Sequence, residues 1–231
     1  RSWGIFSKNS SVTMRGLESS ARTLVLVDGI PKNKIAGGSI NWHNINPDNI
    51  QKVEIIKGPA SSLYGNNAMG GVINIITKTP KEKLSGSIKT FYGTYNTLGG
   101  SINLSGSEID EGKGIYCNLN GYYIQGDGYV FEPPAFLDYT DVETYLKEYG
   151  GSTKVGYCFN DEDKVEIVYE YYDELRGAGR LVHTEDGSFE TYITNQLKAS
   201  YAGKLGKASI NAVLYYTLED FYGQNESLND Y

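Results

Sequence analysis

The chain has two regions that differ in the pattern of their hydrophobic residues. In the first third, β-branched residues crowd into short runs bounded by turn-forming residues, as in residues 51–57 and 71–78 with Val53, Ile55 and Ile75. Short apolar runs of this kind predict buried strands. From Lys83 onward, apolar and polar residues alternate over longer segments, which predicts strands with two chemically different faces.

A tight connection joins the two short strands. Gly58 and Pro59 end the first strand, and a proline at the first helical position loses only an amide that would have lacked a partner anyway. Residues 60–64 then predict one helical turn, and unusual backbone angles are available at three glycines, Gly65, Gly70 and Gly71. The segment that contains these glycines lacks the Lys and the Ser or Thr that a phosphate-binding loop requires. The connection also has no serine flanked by glycines, which a nucleophile elbow requires. The connection therefore predicts a turn without catalytic chemistry.

Seven alternating segments follow, each with one apolar row. In one of them Ile167 and Tyr169 alternate with Glu166 and Glu170. An apolar row opposite a polar row fits a barrel whose outer surface meets lipid and whose interior is wet. The segments are 84–92, 96–107, 114–126, 152–159, 164–175, 188–204 and 207–221.

The connections between these segments alternate in length. The short ones are 108–113, 160–163 and 205–206, and the long ones are 127–151 and 176–187. In outer-membrane barrels the short turns are periplasmic and the long loops extracellular. The third, fifth and seventh strands are therefore expected to run outward, with the brief first connection, 93–95, on the extracellular side.

Composition narrows the class of protein further. The net charge is −7, from 21 Lys and Arg against 28 Asp and Glu, which argues against a nucleic-acid partner. The 20 tyrosines suit a protein whose aromatic rings lie at a boundary between apolar and wet surroundings. Alternation places Cys117 on the apolar row and Cys158 on the opposite face, so we expect both thiols to be free.

The short-strand region also carries a long, gapless motif. It consists of VEIIKGP at 53–59, SSLYG at 61–65 and GGVINIITK at 70–78. This succession resembles the plug-domain signature of TonB-dependent outer-membrane receptors. The resemblance assigns signature positions to Glu54, Lys57, Gly58, Pro59, Tyr64, Gly65, Gly70, Gly71 and Asn74.

Two further segments match the same family. Arg15 and Gly16 match its Ile-x-x-Arg-Gly strand, and Asp28 and Gly29 match its Val-Leu-x-Asp-Gly strand. A buried Arg15 would need a carboxylate partner. Lys57 stands where the family usually has Arg, and because lysine is a point charge without arginine's planar fork, a bidentate lock between plug and barrel does not carry over at this position.

The resemblance implies a mainly β fold. Residues 1–80 would form the C-terminal part of an α+β plug domain, and 81–231 the N-terminal portion of an antiparallel transmembrane β-barrel, with about seven strands present. A plugged barrel has about 22 strands. We therefore expect the chain to be part of a larger receptor, whose energy-coupling segment would precede the pattern seen here.

The function implied by the resemblance is active import across the outer membrane of a Gram-negative bacterium. The substrate would be a ferric siderophore or other iron chelate, or cobalamin, with the periplasmic TonB protein and outer-membrane lipid as partners. We expect no enzymatic activity, catalytic residue, metal site or cofactor. Two alternatives stay open: a glycan-importing member of the family, and a soluble β-sandwich that binds carbohydrate or mediates adhesion.

Residues 30–45 would form an apical plug loop that faces the substrate. Lys32 and Lys34 suit an anionic ligand, and Trp42 suits stacking. Hydrogen bonds to the substrate are expected from Asn33 and Asn44, and His43 lies beside them. The alternative is an ordinary solvated loop.

Overall fold

The computed structural model describes residues 6, 12, 14, 22–35, 37–40, 42, 45, 47–65, 67–132 and 134–227. The chain divides into two compact units, Arg1–Thr79 and Pro80–Tyr231. Both are built mainly from β-strands. Within the described residues, no α-helix is long and apolar enough to cross a membrane.

The first unit contains a four-stranded sheet and one helical turn. Its elements are β1 (Thr23–Val27), β2 (Ile30–Pro31), β3 (Ile50–Lys57), α1 (Ser61–Tyr64) and β4 (Gly71–Thr77). The strand order is β2-β1-β4-β3, with β1 parallel to β4 and the other pairs antiparallel. These bounds agree closely with the short strands and the single turn predicted from the sequence.

The core of this unit lies on both faces of the central strands. Leu24 and Leu26 pack in a cluster with Val72, while Val25 packs on the opposite face with Ile73. A strand that is covered on both faces needs apolar residues at consecutive positions. That requirement explains the unbroken apolar run of β1.

The prediction that both short strands are buried is wrong for β3. Residues 51–57 were expected to be buried, and the structure contradicts this: Val53, Ile55 and Ile56 are all exposed. β3 is one of the two edge strands of the sheet, and its outer edge pairs with no strand among the described residues. An apolar run predicts a strand, but it does not reveal whether a second layer covers it.

The second unit is a single antiparallel sheet of seven strands in sequence order. Each strand hydrogen-bonds to the next one along the chain, and the seven predicted segments are confirmed. The strands are β5 (Ser85–Gly93), β6 (Thr97–Asp110), β7 (Lys113–Gly126), β8 (Leu146–Cys158), β9 (Lys164–Gly177), β10 (Phe189–Leu205) and β11 (Ala208–Gln224).

One predicted boundary is wrong. β8 begins at Leu146, six residues before the predicted start, so the long connection before it is residues 127–145. The missed residues include Lys147, Glu148 and the pair Gly150 and Gly151, which interrupt the apolar pattern. Their pairing with β7 and β9 nevertheless continues without a break.

The two faces of this sheet differ in polarity as predicted. In the central strands β7–β9, Ile115, Leu119 and Ile167 belong to the exposed row, whereas the alternate row that contains Asn118 and Lys154 is buried or half-buried. Two sheets that pack face to face would bury their apolar rows instead. The exposed apolar row of this sheet therefore favours a lipid-facing barrel over the soluble β-sandwich.

Both cysteines are free thiols, and they lie on opposite faces of the sheet. Cys117 pairs with Val155 across β7 and β8, and Cys158 pairs with Gly114. Because side chains of this opposite parity point away from each other, the two sulfur atoms cannot meet.

Candidate functional site

The predicted apical loop begins at a tight β1–β2 turn. Asp28 (φ 49°) and Gly29 (φ 82°) both have positive φ angles, and Val27 pairs with Ile30 across them. A two-residue hairpin turn of this hand favours Asp-Gly. The Asp28 carboxylate also accepts hydrogen bonds from Thr77 N at 2.8 Å and Thr77 Oγ1 at 2.6 Å. These two signature residues therefore fix the turn to the end of β4.

Removing this carboxylate should loosen the end of β4. Asp28→Ala leaves the Thr77 amide without its acceptor, and a hydrogen bond to a charged group contributes about 1.5–3 kcal/mol. We expect the Thr77 amide to exchange with deuterium about 10 to 150 times faster in the native receptor. Asp28→Asn keeps an acceptor oxygen, so its Thr77 amide should exchange faster than in the wild-type protein and more slowly than in Asp28→Ala. Equal protection in all three proteins would contradict this role.

The loop after β2 is held by Asn33. Its Oδ1 accepts from Val25 N at 2.9 Å, and its Nδ2 donates to Thr23 O and Gly38 O, each at 3.0 Å. Both amide hydrogens thus bond backbone carbonyls of the same unit. These bonds give Asn33 a role in shaping the loop, and its contact with substrate stays a prediction.

The other predicted loop residues are placed as follows. Trp42 is half-buried and packs against the core cluster of Val25, Ile40 and Ile73, so only part of its ring is available for stacking. Lys32 and Lys34 are also half-exposed, with their backbone amides bonded to Val25 O and Ser39 O. A role in substrate contact stays a prediction for these residues. His43 and Asn44 lie outside the described residues, as do Arg15 and Gly16.

The β3–α1–β4 connection explains the glycine and proline positions of the signature. Gly58 N donates to Gly70 O at 3.2 Å, and Gly65 N closes the α1 turn on Ser61 O at 2.9 Å. Pro59 precedes that turn, and Tyr64 at its end is exposed. At position 71, the first residue of β4, a Cβ would lie 2.5 Å from Ile56 O of β3. Only glycine therefore fits at this position.

Two polar signature residues, Glu54 and Lys57, lie on the exposed edge strand β3, and Asn74 lies beside Glu54 on β4. Glu54 accepts from Lys52 Nζ at 2.7 Å and from Asn74 Nδ2 at 3.2 Å, and these bonds hold the pKa of Glu54 below its usual value. Lys57 is exposed and forms no ion pair within the described part of the chain. The pairing of Glu54 with Asn74 links β3 to β4 without contributing any reactive group.

At one end of the seven-stranded sheet, two long loops lie side by side. We call residues 127–145 the first long loop and residues 178–188 the second long loop. Asp141 and Arg180 pair in an antiparallel bridge between them. The Asp138 carboxylate bonds the hydroxyl and amide of Thr140, and these bonds lower the pKa of Asp138. The sequence analysis missed this junction because ion pairs between loops have no periodicity.

The second long loop also binds the segment after β11. Glu226 accepts from three successive amides, those of Val182 at 2.7 Å, His183 at 3.1 Å and Thr184 at 3.0 Å, and from Thr184 Oγ1 at 2.6 Å. These bonds lower the pKa of Glu226 to about 2. His183 faces the same segment through a contact of its Nε2 with Ser227 O at 3.2 Å.

Acid should release this contact. The pKa of Glu226 is about 2 in the folded protein against an ordinary value of 4.5, so its contribution is complete above pH 4.5 and is lost as the pH falls towards 2. We expect amide protection factors at residues 182–184 to drop over that range. Glu226→Gln, which does not titrate, should show low protection throughout. A pH-independent protection factor in the wild-type protein would contradict the contact.

The buried face of the sheet carries a charged cluster near the same end. Glu148 on β8 and Glu174 on β9 are fully or almost fully buried, and Arg176 lies beside them. Arg176 Nε donates to Glu174 Oε1 at 2.7 Å, and Arg176 Nη2 lies 3.9 Å from Glu148 Oε2. Tyr122 donates to Glu148 and Tyr172 to Glu174. The alternating polar row thus forms a bonded network.

The described residues contain no group of three or more His, Cys, Asp or Glu side chains arranged to hold a metal ion. The carboxylates named above are instead bonded to amides, hydroxyls or cations of the chain itself. The first unit presents a loop that is held by hydrogen bonds to its own backbone. The second unit presents long loops that are joined to one another by hydrogen bonds and ion pairs.

Comparison with known proteins finds a family model for the first unit and relatives that match a longer part of the chain. Residues 4–72 match the family model of the TonB-dependent Receptor Plug Domain. The rhizobactin receptor of Rhizobium meliloti (strain 1021) is 32% identical over 169 residues, which cover 67% of this chain and 22% of that protein. The vitamin B12 transporter BtuB of Vibrio vulnificus (strain CMCP6) is 34% identical over 172 residues, covering 72% of this chain and 26% of that protein. The chain thus spans about a quarter of the length of these relatives.

Solved structures agree on the fold. The ferric yersiniabactin uptake receptor FyuA from Yersinia pestis superposes with a TM-score of 0.67 over 89% of this chain and 33% of that chain, at 20% sequence identity. A likeness at this identity establishes the architecture alone.

Proposed function

Because the chain belongs to the TonB-dependent receptor family, we propose that it forms part of an importer that takes up a scarce nutrient. The chain is located in the outer membrane of a Gram-negative bacterium. In this proposal, residues 1–80 are the C-terminal part of the plug and 81–231 the first strands of the barrel. The substrate is an iron chelate, such as a ferric siderophore, or cobalamin, and TonB supplies the energy for transport.

The observation that carries this proposal is the plug signature followed directly by a sheet with an exposed apolar row. A plug domain closes the channel of a wide barrel. A row of exposed Ile, Leu and Tyr side chains is suited to contact with lipid. The two relatives are a rhizobactin receptor and a vitamin B12 transporter, which supports a chelate or cobalamin over a glycan as the substrate.

The substrate would meet the plug loop and the long loops of the barrel sheet. Lys32 and Lys34 on the plug loop are candidates for contact with anionic groups of a chelate. The exposed part of Trp42 is a candidate for stacking.

Uptake by the native receptor tests the proposal. Outer-membrane fractions would first be assayed for a heat-modifiable band, and cells would then be assayed for uptake of radiolabelled cyanocobalamin and of ferric chelates of different classes. One of these ligands should bind, and its uptake should cease in cells without TonB while binding persists. A protein that is recovered without detergent and takes up none of these ligands would refute the proposal.

A further inference from the structure

The second long loop is attached to the first long loop through Arg180. Arg180 Nη1 donates to Asp138 Oδ2 at 3.2 Å and to Thr140 Oγ1 at 2.9 Å. Its Nε lies 3.8 Å from Asp141 Oδ1. One guanidinium group therefore reaches three side chains of the other loop, which a lysine ammonium on a flexible stem would not hold in the same geometry.

Backbone hydrogen bonds run on both sides of this contact. Leu181 N donates to Thr140 O at 2.8 Å, and Val142 N donates to Gly179 O at 3.2 Å. Thr140 is fully buried at the junction. Exposed ion pairs alone contribute little, but here the ion pairs flank a short stretch of paired backbone that excludes water from Thr140.

Charge favours the same arrangement. The first long loop has no Lys or Arg, so Arg180 supplies the positive charge that lies against it. Without Arg180, the carboxylates of Asp138 and Asp141 would face the second loop uncompensated. The acidic residues of the first long loop are Asp127, Glu132, Asp138, Asp141 and Glu143.

On its other flank, the second long loop is attached to the segment after β11. Besides the three amides held by Glu226, the last residue of β11, Gln224, donates from Nε2 to Gly187 O at 2.9 Å. Glu226 N in turn donates to Ser188 Oγ at 2.8 Å. The second long loop thus lies between two neighbours and is bonded to each of them.

We propose that Arg180 is a positioning residue that joins the long loops into one preassembled unit before any ligand arrives. This inference rests on the proposed function, in which these loops contact the substrate. Ordering a loop during binding consumes part of the interaction free energy. Loops that are already bonded to one another do not incur this cost, so the substrate meets a formed surface.

Hydrogen exchange of the native receptor without ligand tests the assembly directly. In Arg180→Ala, exchange should accelerate about 5- to 30-fold in both residues 138–142 and residues 179–181, since loss of a few surface contacts corresponds to about 1–2 kcal/mol. Arg180→Lys should restore only part of the protection. Lys113→Ala, which removes an exposed cation at the opposite end of the sheet, is the matched control. Acceleration in the second loop alone would overturn the proposal.

Binding kinetics then test the consequence for the substrate. The probes are cyanocobalamin and a ferric siderophore, each added to wild-type and variant receptor. For the probe that the wild-type receptor binds, Arg180→Ala should lower the association rate several-fold, with partial rescue by Arg180→Lys. An unchanged rate would overturn the positioning role. If neither probe binds the wild-type receptor, the proposed function fails while the exchange result still decides whether the loops are joined.

Discussion

Replacing Arg176 by Met should lower the free energy of unfolding of the native receptor by about 3–5 kcal/mol. Arg176 is the cation between two buried carboxylates, and Glu148 has none of its surface exposed. The methionine would fill much of the arginine's volume, so the loss reports charge and hydrogen bonds more than packing. Denaturant unfolding of the receptor in detergent or lipid vesicles measures the change.

A compensated variant separates charge from packing. Glu148→Gln, Glu174→Gln and Arg176→Met together remove all three charges but keep acceptor oxygens for Tyr122 and Tyr172. Because an uncompensated buried charge is the main cost, the triple variant should recover most of the stability lost in the single one. The network would have no structural role if Arg176→Met unfolded at the wild-type denaturant concentration.

Leu119→Arg should destabilise the receptor by about 2–4 kcal/mol, the cost of a cation on the lipid face near the bilayer midplane. Leu119 lies at the centre of β7 with 48% of its surface exposed, and it pairs with Leu104 and Thr153. In lipid the guanidinium would lose its hydration without gaining a partner. Unfolding from vesicles of defined composition gives the difference from wild type.

The neighbouring residue supplies the control. Asn120 points to the opposite face, where its Nδ2 donates to Ser152 Oγ at 2.6 Å. Asn120→Arg breaks that bond, at about 1 kcal/mol, but places its charge among polar side chains. Equal destabilisation by the two arginines would show that the exposed row does not face lipid.

The alternating pattern predicted six of the seven barrel strands closely because one apolar row repeats along each. β8 was the exception, since Lys147, Glu148 and two glycines hide its first half. Glu148 is buried because Arg176 comes alongside it from the next strand, 28 positions later in the sequence. No local pattern encodes that partner.

The site was predicted less completely than the fold. The family motif identified Asp28, Gly29 and Gly71, and the structure supplies their physical reasons in a turn, a strand end and a close backbone approach. For Asn33, its place in the expected apical loop suggested ligand contact, which stays a prediction, and its side chain bonds the backbone of its own unit. The contacts of Arg180 and Glu226 were not predicted, because the sequence of a polar loop does not show whether a single charged residue binds a neighbouring loop.

The exposed edge of β3 has a consequence for anyone who prepares the plug by itself. Val53, Ile55 and Ile56 lie along a strand whose outer amides and carbonyls pair with no described residue. Such an edge is a template for strand addition by a second molecule. An isolated plug unit should therefore dimerise or form fibrils as its concentration rises, and a lysine at Ile55 would be the simplest means of keeping it monomeric.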